Sequence, residues 1–218
     1  MKSMKKGLFI TIEGPDGAGK STQIEFIKKY FEEKNIAAIF TREPGGTIIS
    51  EKIRSIILDK SNSSMSYMTE ALLYAASRAQ LVEELIIPTL NQGVVVICDR
   101  FVDSSVAYQG YGRALGDKVG IINSYAVNGC MPDMTLLLRL DSKKGINRIE
   151  TAGGKREEKD RMESESISFH QRVLDGYLEL EKRYPDRIKG IDASQSIEEV
   201  SSDIKIQLDK LVKEYYGL

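Results

Sequence analysis

The chain of 218 residues contains little cysteine, almost no histidine, no tryptophan and no surplus of either charge. Its two cysteines are Cys98 and Cys130. They form no CxxC pair, and two are too few for a disulfide framework. A reducing, cytosolic setting is the expectation. His170 is the sole histidine, which excludes a histidine-rich zinc centre. Lys and Arg number 31 against 32 Asp and Glu, a formal net charge of -1. There is thus no global basic field to hold a nucleic-acid polymer. Long hydrophobic runs are missing too: no segment approaches the roughly 20 apolar residues of a membrane span. The basic start, MKSMKKG, leads into a short apolar run ending at Glu13, a poor match to a secretory leader.

Alternation fills the space left by these absences. Hydrophobic residues make up 41% of the chain, enough for a sizeable core, and the length fits one α/β domain over 1–218. Short apolar runs at 8–13, 36–41, 93–98, 134–140 and 187–191 read as strands. Several are near-continuous, as strands covered on both faces are. Between them, helical spacing covers 19–34, 47–58, 69–90, 117–129, 160–183 and 196–215. In the last, Ile197, Val200, Ile204, Leu208, Leu211 and Tyr215 recur at steps of three and four. This order predicts a parallel five-stranded sheet with right-handed crossovers, flanked by helices. Residues 142–161 depart from it, with few apolar residues, the pair Gly153–Gly154 and many charges. They read either as an exposed loop between helices or as a mobile lid.

The stretch GPDGAGKST, residues 14–22, follows the first apolar run. Gly14, Gly19, Lys20 and Ser21 satisfy G-x-x-x-x-G-K-[ST] between strand and helix. In such a loop Gly14, Pro15, Asp16, Gly17, Ala18, Gly19, Lys20, Ser21 and Thr22 form a cradle of inward-facing N–H groups. The helix start adds its positive end. Lys20 reaches the β and γ phosphates, and the Ser21 hydroxyl serves Mg²⁺. Asp99 ends the run VVVICD, where a carboxylate could hold Mg²⁺ through water. Arg100 follows it, where ATP-hydrolysing motors usually carry a glutamate. The chain has no N-K-x-D guanine-reading motif; the D-K-V-G at 117–120 is a chance match in a helix. Both features favour phosphoryl transfer to an organic acceptor over hydrolysis.

Three more clusters fall near expected C-terminal strand ends, where open α/β sheets bind ligands. They are TREPGGT (41–47), SEKIRS (50–55) and DRFVDSSVAYQGYG (99–112). Arg54 and Arg100 there could clamp an anionic acceptor, although single arginines more often make surface ion pairs. Cys98 reads as an inert buried strand residue and His170 as a surface or packing residue.

The phosphate loop, TREPGGT, the arginine in EKIR, YAASR (74–78), DRFVDSSVAYQG (99–110) and a polar segment before FHQRVLDGYLEL together resemble the thymidylate kinase family. The likeness runs over nearly the whole chain and points to the bacterial type with lid arginines. It implies the three-layer P-loop NTPase sandwich with a lid at about 142–161, ATP as donor with Mg²⁺, dTMP as acceptor and a homodimer. It also implies site roles. Arg54 and Arg100 would hold the acceptor's 5'-phosphate. Arg78 would donate to the thymine O4, and Gln109 or Ser105 would meet its N3 edge. Tyr74 would stack on the base and Tyr108 would press on the deoxyribose. Asp16 and Glu43 would lie near the 3'-hydroxyl or the Mg²⁺ shell. Adenine would sit between the lid and IDASQS (191–196), before a helix capped by Ser194 or Ser196.

An acceptor phosphate is already anionic, so alignment and charge neutralisation replace a general base. Lys20, Asp16 and Arg100 are the catalytic candidates in the core. In part of the resembled family an arginine follows the loop's acidic residue; here Gly17 stands there. The missing cation is expected on the lid, from Arg148, Lys155, Arg156 or Arg161, with Arg156 first and Arg161 second. Two rivals remain at this point: a kinase of the same core with another acceptor, and a nucleotide-binding switch without transfer. A nucleic-acid-dependent ATPase lacks both the acid after Asp99 and a basic surplus.

Overall fold

The computed structural model describes residues 6–151 and 160–217. Its single sheet contains β1 (Phe9–Glu13), β2 (Ala38–Arg42), β3 (Val95–Asp99), β4 (Met134–Arg139) and β5 (Ile188–Asp192), all parallel, in the order β2-β3-β1-β4-β5. Each strand overlaps one of the expected apolar runs. The helices are α1 (Lys20–Glu33), α2 (Ile48–Leu58), α3 (Tyr67–Leu81), α4 (Ile87–Asn91), α5 (Val102–Ser105), α6 (Lys118–Ala126), α7 (Ser142–Thr151), α8 (Ile167–Arg183) and α9 (Ile197–Tyr216).

Burial sorts these elements into three layers. On one face of the sheet Ile10, Ile12, Leu136 and Leu138 pack against Ile27 and Phe31 of α1 and Ile204 and Leu208 of α9. On the other, Phe9, Val96 and Cys98 meet Leu81, Val82, Ile86 and Leu90. Leu137 and Ile188 meet Phe169, Val173 and Tyr177 of α8 on that side. Because both faces are covered, β1 is buried throughout, which explains why its run is mostly apolar. The chain leaves β1 for the β2 edge, returns to β3, then crosses to β4 on the other side of β1. The order therefore reverses at the C-terminal end of β1, which opens a crevice there.

Hydroxyl caps set several helix starts: Thr47, Ser66, Ser166 and Ser196 accept from the backbone N–H groups of Ser50, Thr69, Phe169 and Glu199. Ser196 forms a full capping box with Glu199. The start of α1 is different. Gly19 precedes it at φ 90°, and no side chain caps it. Its first N–H groups are left to a ligand.

Three stretches differ from the sequence expectation. The helix expected over 69–90 is interrupted by a wide π turn at Val82–Ile86 before α4. Pro88 lacks the N–H that regular pairing would use there. Residues 102–112, to which the sequence reading assigned no element, are helical: α5 runs into a π turn at Val106–Gly112 that packs on α8. The polar stretch from 142 begins as a helix, α7, whose first turn is capped by Asp141 Oδ1 accepting from Lys143 N (3.0 Å) and Lys144 N (3.3 Å). The next helix starts at Ile167, not 160, because Ser166 caps it. Lys155, Arg156, Glu157, Glu158, the Gly153–Gly154 pair and the first five residues of the basic tail lie outside the described residues. Among the described residues, no helix is long and apolar enough to cross a membrane.

Leu208 of α9 is fully buried against the sheet. Leu208→Ala is expected to destabilise the fold by about 2–5 kcal/mol, from lost transfer energy and the cavity left behind. Urea denaturation measures this; a loss under about 1 kcal/mol would show that α9 does not close that face.

Candidate active site

The crevice at the end of β1 holds a cleft of about 510 Å³. One wall is the phosphate loop: Asp16, Gly17, Gly19, Lys20, Ser21 and Thr22 all line it. Lys20 folds back over the loop, donating to the carbonyls of Gly14 (3.2 Å) and Pro15 (3.1 Å). Burial, with the charge of Arg100, pushes its ammonium down to about 8. An arriving polyphosphate would reverse that, because an adjacent anion favours the charged form. Asp99 ends β3 at the cleft, and its buried Oδ1 has no hydrogen-bond partner among the described residues. Ser21 lines the same wall. A hydroxyl and an unpaired carboxylate oxygen are hard donors that fit a magnesium ion.

Arg100 stands opposite the loop. Its backbone adopts φ 66°, in the left-handed region that side chains rarely enter. Its own backbone N–H meets the Ile12 carbonyl at 3.0 Å. The guanidinium then turns back to the loop: Nη1 donates to the Gly14 carbonyl (3.1 Å) and Nη2 to Asp16 Oδ1 (2.5 Å). Tyr108 donates to the other Asp16 oxygen at 2.9 Å, and the Arg100 guanidinium lies 5.1 Å from its ring centre. Burial alone would raise the Asp16 carboxyl, but Arg100 and Lys20 outweigh it and hold it below the ordinary range.

Behind Arg100 lies a network the sequence reading did not identify. Glu13, fully buried, accepts from Phe101 N (2.7 Å), Ser104 N (3.2 Å), Ser104 Oγ (2.6 Å) and Tyr177 OH (2.9 Å). Arg100 Nη1 donates in turn to Ser104 Oγ and Tyr177 OH, both at 3.2 Å. Desolvation, helped by the charge of Asp103, pushes the Glu13 carboxyl up to about 7. Glu13 ends a strand as an acid inside an otherwise apolar run, the one signal that could have marked it.

Deeper in the cleft, Arg78 is 1% exposed and held on all sides. Its Nη1 donates to Ser105 Oγ (3.0 Å) and to Asn123 Oδ1; its Nη2 donates to Glu43 Oε2 (2.5 Å) and the Phe101 carbonyl (3.0 Å). Its Nε has no hydrogen-bond partner among the described residues. Burial pushes Glu43 up to about 7 against the pull of Arg78. Gln109 and Arg54 line the same cavity, with Arg54 Nη1 on the Pro44 carbonyl at 2.9 Å. Tyr74 is half-buried and also lines it, so it is not sealed in the helix core. The fold thus brings together Asp16, Lys20, Ser21, Glu43, Arg54, Tyr74, Arg78, Asp99, Arg100, Ser105, Tyr108 and Gln109 around one cavity.

Arg161 is placed differently. Its Nη1 meets Glu70 at 2.6 Å and its Nε donates to the Ile57 carbonyl at 2.8 Å. It braces α2 and α3 rather than lining the cleft. Arg148, on α7, does line the cleft. Helix α7 also comes close to the phosphate loop. A Cβ on Gly17 would collide with the Gly145 carbonyl, and a Cβ on Gly145 with the Asp16 carbonyl. Gly17 also adopts φ 78°. No side chain fits at position 17 while α7 sits there, so this contact accepts only glycine.

A family model described as "Thymidylate kinase" matches residues 12–204. A thymidylate kinase of Clostridium novyi is 50% identical over 203 residues, 93% of this chain and 98% of that one. A thymidylate kinase of Oceanobacillus iheyensis is 52% identical over 198 residues, covering 90% and 87%. Among solved structures, the crystal structure of thymidylate kinase from Ehrlichia chaffeensis matches with a TM-score of 0.74 at 31% identity, covering 94% of this chain and 99% of that chain.

The raised Glu13 carboxyl carries a stability consequence. Its value moves from 4.5 to about 7 on folding. Between those values the folded chain keeps a proton that the unfolded chain releases. The stability it contributes is present below about pH 4.5 and lost as pH rises through 7. Glu13→Gln removes this titration. Its stability relative to the native chain should therefore rise from about pH 5 to about pH 8, followed by urea denaturation at each pH. Parallel pH curves for the two proteins would contradict the assignment.

Proposed function

The chain belongs to the thymidylate kinase family, and on that premise we propose how its cleft passes the γ-phosphoryl of ATP to deoxythymidine monophosphate (dTMP), yielding dTDP and ADP. The observation that carries the reading is the grip of Arg100 on the phosphate loop, one Nη on the Gly14 carbonyl and the other on Asp16. It brings an acceptor-side cation against the donor cradle, as in-line transfer between two anions requires.

Residues 14–22 would wrap the donor phosphates with their N–H groups, and Lys20 would neutralise the β and γ oxygens. Arg54 and Arg100 would hold the acceptor phosphate in line. The acceptor oxygen then attacks the γ-phosphorus while the bond to the β–γ bridging oxygen breaks, and the electron pair leaves with ADP. Ser21 and Asp99 would hold Mg²⁺, which neutralises phosphate oxygens when bound. Tyr74 would stack on thymine, Arg78 would face O4, Gln109 or Ser105 would meet the N3 edge, and Tyr108 would bound the sugar. Glu43 would hold Arg78 in place, and Asp16 would orient Arg100 and Tyr108 beside the sugar. Arg148 and Arg156, from the lid, are the candidates for the cation that follows the moving phosphoryl.

The reading treats residues 1–218 as a single unit with a lid at about 142–161. It involves a small-molecule acceptor, with no nucleic-acid polymer and no membrane. A cytoplasmic setting accords with the free, buried thiols of Cys98 and Cys130. A homodimer is supported by exposed apolar side chains on adjoining helices: Ile48 and Ile49 of α2, Leu72 of α3, and Ile121 and Tyr125 of α6.

Steady-state assays with ATP, Mg²⁺ and the monophosphates of thymidine, uridine, cytidine, adenosine and guanosine should give the highest kcat/KM with dTMP. A higher value for another acceptor, or no ADP with any, would overturn the reading. Arg156→Ala and Arg148→Ala should be assayed by single-turnover chemistry. At least one should slow transfer by about 10³, with acceptor affinity little changed; native rates in both would remove the lid cation from the mechanism.

A further inference from the structure

One carboxylate behind the base pocket has no role in the reaction described above. Glu70 of α3 is 0% exposed. Its Oε1 accepts from Gln109 Nε2 (2.9 Å) and Arg113 Nε (3.1 Å), and its Oε2 from Arg113 Nη2 (3.0 Å) and Arg161 Nη1 (2.6 Å). Burial alone would raise its carboxyl. The hydrogen bonds of Arg113 and Gln109, with the charges of Arg113 and Arg161, outweigh burial and hold it below the usual range. Glu70 is therefore ionised, and an ionised carboxylate only accepts hydrogen bonds.

That decides which way Gln109 points. The two ends of an amide side chain are otherwise easily exchanged. Here the N–H end must face Glu70, because the carbonyl end would set two acceptors against each other in a buried place. Gln109 is 1% exposed and lines the cleft. With its amide nitrogen drawn to Glu70, its carbonyl oxygen is the end left for a ligand. A pyrimidine carrying N3–H satisfies that oxygen. Cytosine presents a bare N3 lone pair instead, which leaves both groups unpaired. Ser105 cannot enforce the same choice, since a hydroxyl rotates to donate or accept.

We propose that Glu70 is a positioning residue for base selection: by holding the Gln109 amide with its carbonyl toward the cleft, it makes the pocket accept bases with N3–H and reject those without. The inference rests on the reading that Gln109 meets the N3 edge of dTMP. Arg113 and Arg161 serve it indirectly, by keeping Glu70 charged.

The test compares kcat/KM for dTMP, deoxyuridine monophosphate and deoxycytidine monophosphate in the native chain, Glu70→Gln, Gln109→Leu and the double variant. Glu70→Gln should lower the thymidine-to-cytidine ratio by at least about tenfold, mainly through KM for dTMP. The thymidine-to-uridine ratio should stay as in the native chain, since both bases carry N3–H. In the Gln109→Leu background, adding Glu70→Gln should change neither ratio. Parallel losses on all three acceptors would overturn the inference and leave the function standing; a native chain inactive on dTMP would overturn the function itself. If Glu70→Gln does not fold, the Gln109 side-chain amide resonances of the native chain decide. These are assigned by their loss in Gln109→Leu. The proton facing Glu70 should keep its shift when dTMP binds, and its release would overturn the inference.

Discussion

Carboxylates hold Arg78 and Arg100 of this cleft, and the arginines packed behind it, in place. A guanidinium or a carboxylate taken out of water alone is strongly destabilising, so each must find its opposite. The fold meets that constraint repeatedly. Asp16 holds Arg100, Glu43 holds Arg78, and Glu70 holds both Arg113 and Arg161. Farther from the cleft, Asp103 takes Arg187 in two bonds of 2.6 and 2.7 Å. Breaking one member of such a pair leaves an uncompensated charge, which is strongly destabilising.

In the proposed mechanism the same pairing supports catalysis. Phosphoryl transfer needs fixed positive charge on both sides of the moving group, with no reorganisation at the moment of reaction. Arg100 could not supply it as a free side chain. It is held by the loop it faces, by Ser104 and by Tyr177, and the last two are tied to Glu13 at the end of the central strand. A group in the sheet is thus joined to Arg100, the proposed acceptor clamp, through hydrogen bonds alone. In that reading substrate affinity and fold stability share these atoms, so the pH at which Glu13 ionises matters to both.

Much of this was legible in the sequence. The strands were, because burial on both faces leaves mostly apolar residues to read. The phosphate loop was, because glycine, lysine and hydroxyl must stand at fixed spacing. Helix α7 was not: its residues are polar, it contains Gly145, and its capping acid Asp141 lies before the stretch that drew attention. The segment Val102–Gly112 carried no helical spacing to read, because its two glycines and its aromatics follow no amphipathic period and its helical form depends on packing against α8. Least legible were the partners. Glu13 and Tyr177 are 164 positions apart, and Glu70 and Arg113 are 43 apart. No spacing rule joins residues that only the tertiary fold brings together. For the same reason Arg161, an attractive lid cation by position, proves to be a brace between α2 and α3.

The backbone contact between Gly17 and Gly145 bears on how such an enzyme can change over generations. With α7 seated on the loop, position 17 is closed to every other residue. An arginine could enter only after the helix had moved away, and a helix that had moved would carry its own cations off with it. Under the proposed lid-cation mechanism, moving the charge from lid to loop therefore takes more than the single change at position 17.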